Sequence, residues 1–220
     1  MIELKQISKS YTNCEALKET NLQIQDGTFT AIVGRSGSGK STLLRIIGGL
    51  DAPTSGDVFY DDISIQKMSE IQLAAFRNKH IGFVFQQFFL EPKYTVYQNI
   101  EMPLLIGSVP KKERSELVEQ QLRTVGLLHK RNTPAAVLSG GEKQRTAIAR
   151  AMVNDPSVIL ADEPCGSLDT ENGEAVMRLL RTMTDLGKTV ILITHNNEDA
   201  AKTDRIITLK DGQVIDDETL

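Results

Sequence analysis

Long apolar runs are missing from this sequence. The longest are the size of Val190-Ile191-Leu192-Ile193, whereas a helix that crosses a bilayer needs about 20 consecutive apolar residues. Any work on a membrane is therefore expected to need another polypeptide. No apolar segment follows Met1, because Ile2-Glu3-Leu4-Lys5 already alternates, so no signal peptide is expected. Cysteine is scarce as well. Cys14 and Cys165 make neither a C-x-x-C pair nor a metal-ligand spacing, which argues against a disulfide framework and suits a reducing cytosol. Positive charge is not in excess: the formal net charge is -4, so no global basic field points to DNA or RNA as a partner. Repeats, low-complexity tracts and long linkers are absent too.

What remains is a chain of 220 residues with 40% hydrophobic content, enough for one large α/β domain or one domain with a subdomain. The first 65 residues read mostly as strands and turns. Ile2, Leu4 and Leu22-Gln23-Ile24 mark half-buried strands, Asp26-Gly27 a turn, and Phe29 to Val33 a further strand. Ser41 to Ile47 reads as a helix closed by Gly48-Gly49, followed by a strand near Val58-Phe59-Tyr60 and a helix around Glu70 to Arg77. Residues 91–153 change character. Strand signals nearly vanish, Pro92, Pro103, Pro110 and Pro134 punctuate the segment, and Glu113 to Val125 is charged and helical with Gly126 past its end. This segment is expected to form a helical subdomain ending in the helix that carries Gln144 to Met152. Strand Val158 to Ala161, helix Glu171 to Thr184 and strand Thr189 to Thr194 then restore a parallel core. A hairpin through Asp211-Gly212 closes the chain.

The strand Phe29 to Val33 feeds Gly34-Arg35-Ser36-Gly37-Ser38-Gly39-Lys40-Ser41, which satisfies G-x-x-x-x-G-K-[ST], with Thr42 next. A glycine-rich turn between strand and helix points backbone N–H groups inward, and the helix start adds partial positive charge. Gly34, Gly37 and Gly39 are expected to keep side chains out of the way. Lys40 would reach the β- and γ-phosphates, and the Ser41 hydroxyl would hold Mg²⁺. Average composition puts a chance match of the four fixed positions at about one in a hundred for such a chain. The correct strand before and helix after lower those odds further. A second apolar strand, Val158 to Ala161, ends in Asp162-Glu163 and would open into the nucleotide crevice. Alone, an acidic pair before Pro164 is more often a strand-capping turn.

Leu138-Ser139-Gly140-Gly141-Glu142-Lys143-Gln144-Arg145, paired with the phosphate loop, resembles the LSGGQ-type signature of the ATP-binding-cassette (ABC) ATPases. The resemblance covers essentially the whole chain, with the other motifs in order. It implies an α/β P-loop NTPase core with an N-terminal antiparallel β subdomain, and a helical subdomain at about 91–153 inserted within a single ABC ATPase domain, residues 1–220. Asp162 would then hold Mg²⁺ through water, and Glu163 would be the general base. His195, after strand Val190 to Thr194, would be the switch histidine at the γ-phosphate. Gln86, ending strand Ile81 to Phe85, would be the Q-loop residue touching Mg²⁺ and the attacking water. Tyr11, 23 residues before Gly34, would stack on adenine. Ser139 is a good N-cap; with Gly140, Gly141 and Gln144 it would face the ATP of a second subunit, and Asp169 would lie in the D-loop across that interface. Cys165 stands where relatives commonly carry threonine, and Glu142-Lys143 where glutamines are frequent.

The function implied is ATP hydrolysis with Mg²⁺ by two copies, identical or paired with a different ATPase subunit, that close on two ATP and drive a transmembrane permease. The ATPase would sit on the cytoplasmic face of the membrane, with no nucleic acid as partner. The groove beside Gln86 would receive a cytoplasmic helix of the permease. Ile81 to Gln86, Pro92 and Asn99-Ile100-Glu101-Met102-Pro103-Leu104 further resemble the branch for macrolide export, lipoprotein release and antimicrobial-peptide resistance. A mechanotransmission ATPase of the cell-division type is the alternative within that branch. ABC ATPases of DNA repair insert long coiled coils where only 98 residues separate Lys40 from Ser139, and translation-factor ATPases carry two cassettes. Both fit poorly.

Overall fold

A computed structural model describes all residues, 1–220. Its centre is a six-stranded sheet in the order β10-β9-β3-β8-β7-β6. The strands are β3 (Phe29–Val33), β6 (Ile81–Phe85), β7 (Val158–Asp162), β8 (Thr189–Ile193), β9 (Arg205–Lys210) and β10 (Gln213–Thr219). Strands β6, β7, β8, β3 and β9 pair in parallel, and β10 closes the edge as an antiparallel hairpin. A second, antiparallel sheet in the order β2-β1-β4-β5 joins β1 (Ile2–Tyr11), β2 (Cys14–Ile24), β4 (Ser55–Tyr60) and β5 (Ile63–Ser64).

The central strands β6, β7 and β8 are apolar at nearly every position because both faces of the sheet are covered. Successive side chains point to opposite faces. Ile159, Ala161, Val190 and Leu192 accordingly enter one core, with α3 (Val96–Ile106), α4 (Lys111–Thr124), α5 (Gly140–Met152) and α6 (Thr170–Asp185). Val158, Leu160, Ile191 and Ile193 enter the other, with α1 (Lys40–Ile47) and the antiparallel sheet. Burying one such side chain contributes about 1.5–3 kcal/mol, so the two cores clamp the central strands from both sides. Two helices flank these layers: α2 (Glu70–His80), which packs on β6 and lays Leu73 and Phe76 against the second core, and the single turn α7 (Asn197–Ala200) beside β3.

One expectation needs correction. Pro103 does not punctuate the chain; it lies inside α3. Proline there forfeits one intrahelical bond and costs about 3 kcal/mol. The helix persists because a Thr95–Gln98 capping box closes its start and Val96, Ile100 and Leu104 are buried along one stripe.

Candidate functional site

Strand register brings the motif residues together. Phe85 pairs with Asp162, Asp162 with Ile193, and Ile193 with Ile32. Gln86, Glu163, His195 and Gly34 therefore leave neighbouring strands at the C-terminal edge of the parallel sheet, where open α/β sheets bind ligands.

The phosphate loop ends at Gly39, which caps α1 in a left-handed conformation with no side chain capping the helix. Its first N–H groups have no intrahelical acceptor. The glycines serve different purposes, beyond the clearance expected of them. Gly37 has φ +78 and open space around it, so its conformation requires glycine. A Cβ on Gly34 would stand 2.1 Å from Leu209 O, so there it is the close approach to β9 that excludes a side chain. Lys40 is buried, and its Nζ donates to Gly34 O at 2.8 Å and Arg35 O at 2.9 Å. The ammonium thus holds the loop around itself. Ser38 Oγ is buried with no partner, a polar atom that a bound phosphate would satisfy. A pocket of about 470 Å³ runs along the loop, lined by Arg35, Ser36, Lys40, Ser41 and Thr42 together with Glu163 and His195. Cys14, Glu15 and Ala16 form a further wall. Sequence reading missed that wall, because only the packing of β2 against the loop brings it there.

Ser41 Oγ donates to Asp162 Oδ1 at 3.2 Å. Burial raises the pKa of Asp162, the Ser41 hydrogen bond opposes this, and the neighbouring Glu163 charge adds to the rise. A hydroxyl and a carboxylate, both hard oxygen donors, fit Mg²⁺, which takes few protein ligands and completes its shell with phosphate and water. Glu163 sits at φ +47, uncommon for a residue with a side chain. Its N–H donates to Ile193 O at 3.0 Å, and its Oε2 lies 3.0 Å from His195 Nδ1. The strained turn aims the carboxylate at the pocket and the histidine braces it.

Gln86 and Tyr11 lie at the margins. An added Cβ on Gly166 would come within 2.9 Å of Gln86 Nε2, so the amide packs on the turn after Glu163, and the structure does not bring it to the Ser41–Asp162 pair. Tyr11 does not line the pocket. Its hydroxyl donates to Asp51 Oδ2 at 2.6 Å, and Lys9 Nζ lies 4.9 Å from the ring centre.

At the signature, Ser139 Oγ accepts from Glu142 N at 3.3 Å while Glu142 Oε2 accepts from Ser139 N at 2.9 Å, a complete capping box. The Ser139 N–H holds the Glu142 carboxyl below its usual range, helped by Lys130 at 3.2 Å. An added Cβ on Gly141 would fall 1.9 Å from Asn172 Oδ1, whereas one on Gly140 would meet Leu168 at an ordinary 3.6 Å. Asp169 caps α6 by accepting from Asn172 N at 2.9 Å. Asn172 also accepts from Arg145 at 3.2 Å, tying α5 to α6; no motif pointed to it. None of Ser139, Gly140 or Gly141 lines the phosphate pocket of its own chain.

Gln144 is a correction. Expected at the same surface as Ser139, its side chain is fully buried, with Nε2 donating to Phe85 O at a long 3.4 Å. It lies on the i, i+4 stripe of Ile148 and Met152, the core face of α5. Helix periodicity turns it away from any external ligand.

A parallel sheet whose C-terminal edge gathers a phosphate loop, a hydroxyl–carboxylate pair and a braced glutamate defines a P-loop nucleotide hydrolase. The family model described as ABC transporter matches residues 17–166, and the chain belongs to that family. It is similar to the uncharacterized ABC transporter ATP-binding protein YvrO of Bacillus subtilis, with 48% identity over 99% of this chain and 97% of that relative. It is also similar to the lipoprotein-releasing system ATP-binding protein LolD of Bacteroides fragilis, with 45% identity over 98% of this chain and 100% of LolD. Among solved structures it resembles the dimeric post-hydrolysis state of the ATP-binding cassette MJ0796 bound to ADP and Pi. The TM-score is 0.92 at 43% identity, covering 100% of this chain and 99% of that one; MJ0796 comes from Methanocaldococcus jannaschii. The chain is an ATPase that uses ATP and Mg²⁺, and ATP-binding subunits of this family dimerise and pair with membrane permease subunits. No helix here is long and apolar enough to cross a membrane.

Proposed function

We propose that two copies of this chain close on two ATP at the cytoplasmic face of a membrane, and that the cycle drives a permease handling lipoproteins or peptides for export. The arrangement of the helix starts carries the reading. Lys40, Ser41, Glu163 and His195 line one pocket and Asp162 accepts from Ser41 beside it, while Ser139, Gly140 and Gly141 lie outside it. With one glycine-rich helix start in the pocket and the other facing away from it, the site is complete only when a second chain supplies its own outward-facing start. The 45% identity to LolD over its whole length supports the lipoprotein or peptide branch.

In this scheme Lys40 turns from the loop carbonyls to the β- and γ-phosphates, and Ser41 with Asp162 holds Mg²⁺. The ion would neutralise charge that develops on the phosphates. Glu163 takes a proton from the attacking water, and His195 fixes the carboxylate and contacts the γ-phosphate. Ser139, Gly140 and Gly141 of the other copy close on the same γ-phosphate, with Asp169 at the interface beside them. Tyr11 offers the ring face away from Lys9 to adenine. Gln86 reaches the Mg²⁺ and water only in the closed form. Residues 91–153, carrying α3, α4 and α5, act as the helical subdomain within the single domain.

Glu163→Gln tests the reading. The amide keeps the shape but cannot accept the proton, so turnover should fall about 1,000-fold while ATP still induces a dimer, followed by light scattering. Turnover close to wild type would remove Glu163 from the reaction.

A further inference from the structure

Gln144 is wholly buried, yet only half of its amide is used: Nε2 donates to Phe85 O and Oε1 meets no donor. A buried acceptor without a partner costs about 1–3 kcal/mol. An apolar side chain would avoid that cost, as Ile148 and Met152 do on the same stripe. Further along α5, Arg150 grips the same segment of chain. Its guanidinium donates to Phe88 O at 2.9 Å and also to Phe89 O. Phe89 is held at φ +48 with an exposed ring, a conformation that costs about 1 kcal/mol or more and persists only where neighbours impose it. Between these two fastenings lies Gln86.

We infer that Gln144 and Arg150 are positioning residues that mount the segment from Phe85 to Phe89 on α5, so that Gln86 and Ser139 move as one piece. The spare Oε1 of Gln144 accepts a hydrogen bond from this segment when the closed form brings Gln86 toward the pocket. One continuous helix without an internal proline links the parts, with Ser139 at its N-cap and Arg150 in its last turn. The inference rests on the roles proposed above for Gln86 and Ser139.

The test is Gln144→Leu in the full chain, beside Gln86→Ala and the double variant. Gln144→Leu removes both the weak bond and the orphaned acceptor, so a purely structural glutamine predicts normal turnover with an equal or higher melting temperature. A positioning role predicts kcat about tenfold lower with KM for ATP within about twofold, again without loss of stability. The double variant should then be no slower than Gln86→Ala alone, because the two residues act as a unit. Normal kcat in Gln144→Leu, or effects that multiply in the double variant, would overturn the inference. Normal turnover in Gln86→Ala would remove the role of Gln86 and this inference with it, whereas a slow Gln86→Ala beside a normal Gln144→Leu removes the inference alone. Should Gln144→Leu fail to fold, Arg150→Lys enters the same cycle with the same deciding outcomes. It keeps the charge but loses the two-carbonyl fork.

Discussion

At the start of α1, Gly39 adopts a left-handed conformation and no side chain caps the helix; at the start of α5, Ser139 and Glu142 close a capping box. Both are glycine-rich helix starts, and both are proposed to meet the same γ-phosphate from opposite sides. The first is incomplete without an anion. Its amides are free, Ser38 Oγ has no partner, and Lys40 satisfies itself on loop carbonyls. The second is complete within the chain, since its box and Gly141 packed on Asn172 hold its shape. A site that binds ATP in a single chain needs the open kind. A site that only reads ATP already held by another chain works better when it is rigid beforehand, because little ordering entropy is then lost on closure.

The sharpest test of the open half is Asp162→Asn. Burial raises the pKa of Asp162, so its ionisation costs folding stability: the cost is absent below the ordinary carboxylate value, grows as pH rises toward the raised folded value and is complete above it. A neutral amide should therefore raise the melting temperature at neutral pH and leave it unchanged in acid below the ordinary carboxylate value. Loss of the proposed Mg²⁺ ligand should lower turnover about 1,000-fold. Calorimetry with a phosphate-release assay reads both, and a variant that is less stable would reverse the sign assigned to the site.

Next in size is the contrast between Lys40→Ala and Ser139→Arg. The first should weaken ATP binding to the monomer about 100-fold by removing charge-assisted contacts. The second should leave monomer affinity unchanged and abolish the ATP-dependent dimer. Equal loss of affinity in titration calorimetry would place both helix starts on one nucleotide and break the comparison.

The two signature glycines divide more finely. Gly141→Ala must displace Asn172, and such overpacking costs about 1–3 kcal/mol. Gly140→Ala meets only ordinary contact at Leu168 and should hold or slightly raise stability, as alanine does in a helix, while weakening dimer closure. Thermal melts that rank them the other way would mean Gly141 is not chosen by packing.

The smallest effect belongs to Glu142→Gln. Glutamine still closes the box, and the lost attraction to the half-exposed Lys130 is worth about 0.5 kcal/mol. The pH dependence is more telling. The carboxyl of Glu142 is held below its ordinary 4.5, so its stabilisation is complete above that value and is lost as pH falls through the lower folded value. The wild-type advantage should vanish in acid and persist at neutral pH. An advantage that grows on acidification would contradict the assignment.

The phosphate loop, Asp162-Glu163, His195 and the signature were legible without coordinates because each is a local pattern at the end of a strand or the start of a helix. Most strands and helices were legible for the same reason: hydrophobic periodicity acts over a few residues. The helix around Pro103, the burial of Gln144, the Cys14–Ala16 wall and the Asn172 tie were not. Each depends on a partner distant in the chain, as Gly141 on Asn172 or Gln144 on Phe85. The sequence by itself determined the chemistry available: a glycine-rich helix start, a lysine, a hydroxyl, paired acids and a histidine, the groups on which the proposed mechanism draws. Only the tertiary structure decided that Ser139 lies outside its own pocket while Gln144, five residues on, faces the core, because direction around a helix has meaning only once something is packed against it.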